Sequence, residues 1–183
     1  ANAGSRGASE YQDVKAAGEW LRALPQVDPD RIGIYGGSYG GYLTALALGR
    51  DSNIFSAGVD LHGVHDYSTP DSGAGRALAA AMSGNGHSAP PDAEEAMEIA
   101  WNSSPVASVA TWRSPVLLIH GEDDRNVRFS QTVDLVQRLA AQGVDYEELV
   151  LVDDTHHWMM HANAVKADQA TVDYLIRKLK PIM

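Results

Sequence analysis

A glycine-rich bend that joins an apolar segment to a helix-forming segment is the feature that most restricts the fold of this 183-residue chain. Residues 31–35 have the composition of a short buried strand, residues 36–41 form the bend, and residues 42–48 form a helix that ends at Gly49. A strand that turns directly into a helix is half of a βαβ unit, which requires parallel strands and crossover connections. The bend therefore predicts an α/β domain.

The rest of the chain repeats this alternation of strands and helices. Further strands are predicted at 57–61, 115–120 and 148–152, and further helices at 9–24, 93–101, 130–142 and 165–179, with Ser9 and Ser130 as N-caps. The strands are continuous apolar runs, as in parallel sheets covered by helices on both faces. Residues 69–92, rich in Gly, Ala, Ser and Pro, are interpreted as an exposed connection or a mobile cap. We see no repeat and no linker, and we expect one domain over residues 1–183.

Composition excludes several classes of partner and site. The chain carries a net charge of −10, which argues against nucleic acid or an anionic membrane as a partner. It has no cysteine, so it has no disulfide framework, thiolate metal site or cysteine nucleophile. No apolar run approaches the ~20 residues that cross a bilayer. We expect neither a cofactor nor a metal.

The bend also contains a candidate nucleophile. Residues 36–40 read Gly-Gly-Ser-Tyr-Gly, which fits G-x-S-x-G between a strand and a helix, the context of a nucleophile elbow. Glycines flank such a serine because the turn is strained and brings backbone segments close together. Ser38 is the predicted nucleophile, and the Tyr39 N–H at the helix N-terminus is a predicted oxyanion donor. The alternative is a tight turn that only binds an anion or packs closely.

A serine nucleophile needs a base, and the base needs an acid to orient it. In a G-x-S-x-G hydrolase the acid and then the histidine follow the serine along the chain, on loops at the carboxyl ends of later strands. The turn after the strand at 115–120 offers Glu122, Asp123 and Asp124 as the acid, and the turn after the last strand offers His156 and His157 as the base. Spacing alone leaves both choices open.

The motifs together resemble the catalytic domain of the prolyl oligopeptidase family, which includes dipeptidyl and acylaminoacyl peptidases. The resemblance covers nearly the whole chain and is carried by Asp28-Pro29-Asp30-Arg31-Ile32-Gly33-Ile34, Gly36-Gly37-Ser38-Tyr39-Gly40-Gly41, His120-Gly121-Glu122-Asp123-Asp124 with Asn126-Val127, and His156. It implies an α/β-hydrolase fold with a mostly parallel sheet, in which the strands that normally precede the elbow are absent from this chain.

The resemblance also selects the site residues. It implies a serine peptidase of short peptides that works through an acyl-enzyme, with Ser38 as nucleophile, Asp124 as acid and His156 as base. His157 departs from the family pattern, in which a small or acidic residue usually follows the base. The family forms part of its S1 pocket after the second predicted strand, which makes His62, His65 and Tyr67 possible substrate contacts; ordinary loop residues are the alternative. A carboxylesterase is an alternative activity.

Two rival interpretations remain. A metallohydrolase would use His157 and His161, spaced i and i+4, or the cluster of His62, His65 and Asp66, although no H-E-x-x-H motif is present. A catalytically incomplete fragment is the other, because only 37 residues precede Ser38. We then expect one oxyanion donor to be missing, which typically costs about 10²–10³ in rate. We also expect the elbow strand to be an open edge that pairs with an N-terminal fragment or another chain.

Overall fold

The computed structural model describes residues 7–69 and 93–180. Five α-helices, four strands and a 3-10 helix alternate along the described residues. The helices are α1 (Ala8–Arg22), α2 (Tyr39–Arg50), α3 (Ala93–Asn102), α4 (Ser130–Gln142) and α5 (His161–Lys178). The strands are β1 (Gly33–Gly37), β2 (Ala57–Leu61), β3 (Val116–Gly121) and β4 (Tyr146–Leu151), and the 3-10 helix is Pro105–Thr111.

The four strands form one parallel sheet in the order β1-β2-β3-β4. Each strand lies beside the next one in sequence, and the connections between them carry helices. Because all strands run in the same direction, their carboxyl ends meet at one edge of the sheet, where ligands bind in α/β folds. The predicted α/β fold with a parallel sheet is confirmed.

The sheet separates two apolar clusters, so helices cover both of its faces. In β3, Val116 and Leu118 join the cluster formed with α1, α2, the 3-10 helix and α4, whereas Leu117 and Ile119 join the cluster formed with α5. This alternation is the two-residue period of a strand, and all six residues of β3 are buried. The continuous apolar sequence of β3 thus reflects burial on both faces.

β1 is an edge strand among the described residues. The Ile32 carbonyl accepts from Ser56 N–H, and Ser38 N–H donates to Leu61 O, so the even-numbered positions bond toward β2. The N–H and C=O groups of the odd-numbered positions therefore face the other side, where no strand of residues 7–69 or 93–180 lies. Tyr35, in the middle of β1, is 66% exposed.

Several predicted boundaries are wrong by two to four residues. β1 begins two residues late because Arg31 N–H bonds Asp28 O in the preceding turn, and it continues through Gly37. α2 begins at Tyr39, three residues early, because the helix starts directly at the bend. Two further starts also differ: β4 begins at Tyr146 and α5 at His161.

Smaller local predictions also differ. Gly7 and Phe129, rather than Ser9 and Ser130, occupy the N-cap positions of α1 and α4. The 3-10 helix Pro105–Thr111 was not predicted. Nearly all of the predicted irregular segment 69–92 lies outside the described residues. None of the described helices has the length and apolar character needed to span a membrane.

Candidate active site

Ser38 lies in the turn between β1 and α2 with a left-handed, strained backbone (φ 56°, ψ −115°). Its N–H donates to Leu61 O at 2.9 Å, and its carbonyl accepts from Tyr42 N–H at 3.0 Å. A Cβ on Gly36 would lie 2.6 Å from the carbonyl carbon of Gly40, so the turn closes only with glycine there. Strained conformations of this kind cost about 1–3 kcal/mol and persist where surrounding contacts fix them.

A chain of hydrogen bonds joins three of the residues selected from the sequence. The Ser38 hydroxyl lies 3.0 Å from His156 Nε2, and His156 Nδ1 lies 2.6 Å from Asp124 Oδ2. Because the carboxylate is an acceptor, Nδ1 carries the proton and Nε2 is left to accept from the serine hydroxyl. The structure thus brings together Ser38, Asp124 and His156, while their catalytic roles stay predictions.

Asp124 is buried and its oxygens are saturated with donors. Oδ1 accepts from the N–H groups of Asn126 and Val127 at 2.8 and 2.9 Å, and Oδ2 accepts from His156. Burial alone would raise the pKa of Asp124, but the hydrogen bonds from His156 and the two amides outweigh it and lower the pKa. The carboxylate is therefore ionised at neutral pH and fixed in orientation.

His120 is a second imidazole beside Asp124 Oδ2. Its Nε2–H donates to Val127 O at 2.9 Å and lies 3.2 Å from Asp124 Oδ2, while Nδ1 accepts from the Thr132 hydroxyl at 2.7 Å. Burial lowers the pKa of His120, against the opposing effects of the Val127 carbonyl and Asp124. His120 thus acts as a neutral donor at the end of β3.

Asp154 organises the loop that carries His156, a role that sequence analysis missed. Its carboxylate accepts from the N–H groups of Thr155 and Met159 and from the Asn163 side chain, at 2.7–2.9 Å. Burial would raise the pKa of Asp154, but these hydrogen bonds lower it. The sequence does contain a signal for this role, because an acidic residue two positions before the histidine can accept hydrogen bonds from the backbone of the same loop.

His62 packs against the edge of the hydrogen-bonded chain. Its ring lies 4.2 Å from that of His156, at 62° to it, and 5.3 Å from the ring of Trp158. Its Nδ1 is buried and makes no hydrogen bond in the described structure. Burial, then the charges of His156 and His120, lower the pKa of His62 to about 4, so it is neutral at neutral pH.

The other two residues predicted as substrate contacts do not reach this group. His65 is 1% exposed, and its Nε2 lies 2.6 Å from Asp60 Oδ2 while its Nδ1–H donates to Gln131 O. Both ring nitrogens donate, so His65 is an imidazolium. Burial lowers its pKa, but the Asp60 carboxylate outweighs burial and raises it. Tyr67 packs edge-on against Tyr42, and its N–H donates to Ser104 Oγ.

Tyr39 is the first residue of α2, where backbone N–H groups point out of the helix end. Its ring leaves the site and packs 5.1 Å from that of Tyr42, and its hydroxyl accepts from Gly7 N–H. The backbone N–H of Tyr39 thus lies at the N-terminus of α2, next to Ser38 in the chain, while its side chain ties α2 to α1.

A cavity of about 300 Å³ reaches His156 from solvent; it is lined by Asp123, Arg125, Asn126, Thr155, His156 and His157.

His157 is exposed and lies in the loop before α5, which begins at His161. The helical spacing of these two histidines, on which one form of the metallohydrolase interpretation depended, is therefore not present. The described residues do hold one group with metal-ligand atoms within 4.8 Å of one another, His62, Asp124 and His156. In it, Asp124 and His156 already bond each other.

Comparison with known proteins shows which sequence family this chain matches. A family model described as the prolyl oligopeptidase family matches residues 1–181. A protein described as "probable dipeptidyl peptidase 4" from Aspergillus clavatus is 32% identical over 165 residues, which cover 87% of this chain and 20% of the relative. Dipeptidyl peptidase 4 from Sus scrofa is 30% identical over 151 residues, which cover 82% of this chain and 18% of the relative. The chain spans about a fifth of the length of these relatives.

Solved structures share the fold. Dipeptidyl peptidase 4 from Porphyromonas gingivalis matches with a TM-score of 0.77 at 22% identity, over 95% of this chain and 23% of that one. Acylaminoacyl peptidase from Pyrococcus horikoshii matches with a TM-score of 0.75 at 25% identity, over 97% of this chain and 29% of that one. The fold is therefore that of α/β-hydrolase peptidases.

Proposed function

This chain belongs to the prolyl oligopeptidase family of serine peptidases, and on that premise we propose that Ser38, His156 and Asp124 form a catalytic triad that cleaves peptide bonds. The single observation that carries the proposal is the hydrogen-bonded chain from Ser38 Oγ through the His156 ring to Asp124 Oδ2. It begins at a strained serine at the N-terminus of α2, as a nucleophile elbow requires.

The proposed reaction follows from the proton positions. Ser38 Oγ attacks the substrate carbonyl while its proton moves to His156 Nε2, and the resulting imidazolium is stabilised by the ionised Asp124. The proton then passes to the leaving amine and an acyl-enzyme on Ser38 remains. Water enters, His156 takes its proton, and hydrolysis of the ester restores the serine. The Tyr39 N–H is the proposed donor to the oxyanion.

Active-site labelling tests this proposal directly. A fluorophosphonate is expected to add to Ser38 with loss of fluoride, and intact-mass measurement follows the adduct. We expect labelling of the wild-type chain, none of Ser38→Ala, and a rate at least about 10³-fold lower for His156→Ala, because an unassisted hydroxyl is a weak nucleophile. His157→Ala, the adjacent histidine, is the matched control and is expected to label normally. Labelling that persists in Ser38→Ala would overturn the assignment.

We also propose that the outer edge of β1 pairs with a strand of a partner segment, either a preceding part of a longer chain or a separate chain. Two observations support this. The odd-numbered backbone groups of β1 face away from β2, and Tyr35 is largely exposed there. Unpaired strand edges of this kind recruit other strands.

Sedimentation of the purified chain over a range of concentrations tests whether the outer edge of β1 pairs with another strand. The wild-type chain is expected to self-associate in the absence of its partner. Tyr35→Pro removes an N–H that faces outward and is expected to reduce association without breaking the bonds to β2. Tyr35→Thr removes the ring but keeps the N–H and serves as the control. A wild-type chain that is monomeric at every concentration and labels fully would contradict this proposal.

A further inference from the structure

We propose that His62 is a positioning residue for the His156 imidazole: as a neutral ring, it holds His156 between Ser38 and Asp124. This inference rests on the proposed function, because it deepens the role of the same site. A positioning role differs from a substrate contact, because the His62 ring acts on His156 and need not touch the substrate.

The first observation is the packing of the rings. His62 lies between His156, at 4.2 Å, and Trp158, at 5.3 Å and nearly perpendicular. The two hydrogen bonds of His156 are made by its ring nitrogens, so by themselves they do not oppose a tilt of the ring about the line that joins them. The contact with the His62 ring, with 62° between the two ring planes, opposes such a tilt out of the line between Ser38 and Asp124. Movement of about 1 Å in such a group can cost about 10²-fold in rate.

The second observation is the distribution of backbone strain. Among the described residues, the non-glycine residues with positive φ are Ser38, His62, Asp153 and Trp158. Two of them bracket His156 in its loop, and His62 packs onto its ring. Strain of this kind persists only where the surroundings fix the conformation, and it clusters at functional sites. The left-handed backbone of His62 (φ 46°) therefore indicates that its ring is held in place at a cost.

The third observation is how the fold fixes His62. Its N–H donates to Ile119 O at 2.8 Å, at the end of the pairing between β2 and β3. The next glycine, Gly63, donates to Asp60 Oδ1, and Asp60 in turn bonds the buried imidazolium of His65. The turn is therefore anchored on both sides of His62, which makes the ring a rigid wall rather than a loose loop side chain.

The charge state of His62 suits this role. A neutral ring beside His156 is compatible with the positive charge that His156 acquires when it takes the serine proton, whereas an imidazolium at the same place would repel that charge.

Two variants separate the ring from the backbone. His62→Gly removes the ring and also relieves the left-handed backbone, so a loss seen in this variant comes from the missing ring and not from backbone strain. His62→Phe keeps a neutral ring without nitrogen atoms. We expect the rate of fluorophosphonate labelling to fall about 10- to 100-fold in His62→Gly and to stay within about threefold of wild type in His62→Phe. With a peptide ester substrate, His62→Gly is expected to lower kcat with little change in KM.

Proton NMR gives a readout that does not depend on activity. The His156 Nδ1–H that donates to Asp124 is expected as a far-downfield resonance, protected from exchange, in the wild type and in His62→Phe. It is expected to broaden or vanish in His62→Gly, because the ring tilts and water enters. His157→Ala is the matched control, since His157 also contacts the His156 ring, at 5.3 Å, but is exposed; it is expected to keep the resonance.

The outcomes are distinguishable. A wild-type chain that shows the resonance but never labels Ser38 would contradict the proposed function and leave the positioning role supported by the NMR comparison. A folded His62→Gly that keeps both the resonance and the wild-type labelling rate overturns the positioning role while the triad stands. Loss of both signals in His62→Phe as well would also overturn it, because the ring alone would then be insufficient.

Discussion

Ser38 and Asp124, the two ends of the hydrogen-bonded chain, follow strands that differ in burial. Asp124 follows β3, whose residues are all buried and which pairs with strands on both sides. Ser38 follows β1, an edge strand in the described structure with exposed and half-buried residues only. The acid is therefore held by the interior of the sheet, whereas the nucleophile is held at its margin.

The difference shows that burial of the supporting strand is not what fixes the serine. Ser38 is fixed by local contacts: its N–H bonds Leu61 O, and the start of α2 packs against the turn after β2. At Gly41 an added Cβ would lie 2.5 Å from Asp60 Oδ1 and 2.9 Å from Gly63 Cα. Asp124, after β3, is held in place by burial and by hydrogen bonds to both of its oxygens. Ser38, after β1, is held in place by the close approach of backbone segments.

The largest effect is expected from a change in the charge of Asp124, the acid that follows the buried strand β3. Asp124→Asn keeps the size of the side chain but removes the charge and presents a donor to His156, which favours the wrong tautomer. We expect the rate of serine labelling to fall about 10⁴-fold. Glu122→Gln, an exposed change in the same turn, is the control and is expected to have no effect. Equal rates in the two variants would mean that Asp124 is not the acid.

Truncation of one residue in each strand measures the difference in burial. Leu118→Ala in β3, where Leu118 is 2% exposed, is expected to lower the free energy of unfolding by about 2–5 kcal/mol through loss of apolar contact and the cavity left behind. Ile34→Ala in β1, where Ile34 is only half-buried, is expected to cost about 1–2 kcal/mol. Urea denaturation provides both values, and a larger cost at Ile34 would reverse the comparison.

Neighbouring glycines of α2 test the close approach on the β1 side. Gly41→Ala is expected to destabilise the chain by about 1–3 kcal/mol and to slow labelling, because the new methyl group meets backbone of the turn after β2. Gly40→Ala meets nothing within 4 Å and is the matched control, since it introduces the same side chain one position earlier in the same helix. Similar stability and labelling in the two variants would show that the packing of α2 is looser than described.

A further effect is expected from pH, at the turn after β2 that carries His62. The pKa of His62 is about 4 when folded, because of burial and of His156 and His120, against the opposing charges of Asp124 and Asp60. The unfolded chain therefore binds more protons between about pH 6.5 and pH 4, and stability falls as the pH is lowered through this window. His62→Phe is expected to lose less stability than wild type in thermal melts across that range. A steeper loss in the variant would contradict the assignment of a neutral His62.

The contribution of His65 to stability depends on pH in the opposite direction. Its pKa is raised when folded because Asp60 outweighs burial, so its contribution to stability is complete below about pH 6.5 and is lost as the pH rises through its folded pKa. Two histidines of one turn thus respond to pH in opposite directions, because a carboxylate is hydrogen-bonded to His65 and none in the described part of the chain is hydrogen-bonded to His62.

Sequence patterns predicted the strands and helices well where the apolar run and its boundaries coincide. Ala57–Leu61 is correct at both ends because every residue of β2 is buried and polar residues flank it. β1 and β4 are less well predicted because their half-buried residues do not contrast with the turns beside them. The 3-10 helix was missed because residues 105–111 fit neither a helical nor a strand period.

The site was predicted to a similar extent. Chain order and the resemblance selected Ser38, Asp124 and His156, which the structure brings within hydrogen-bond distance. The contributions of His62, His120 and Asp154 arise from tertiary packing, which the sequence alone does not specify. His65 was predicted as a possible substrate contact, with an ordinary loop residue as the alternative; it is buried, and Asp60, five residues earlier, is its buried partner.

The hydrogen bond between Ser38 and His156 joins residues 118 positions apart. Contacts of such sequence separation form late, since the intervening chain must first be ordered, and parallel sheets fold slowly for this reason. The site therefore exists only in molecules in which all four strands have assembled. Reaction of Ser38 with a covalent probe would count fully folded chains, so that the same adduct used to test chemistry can also time the refolding of the sheet.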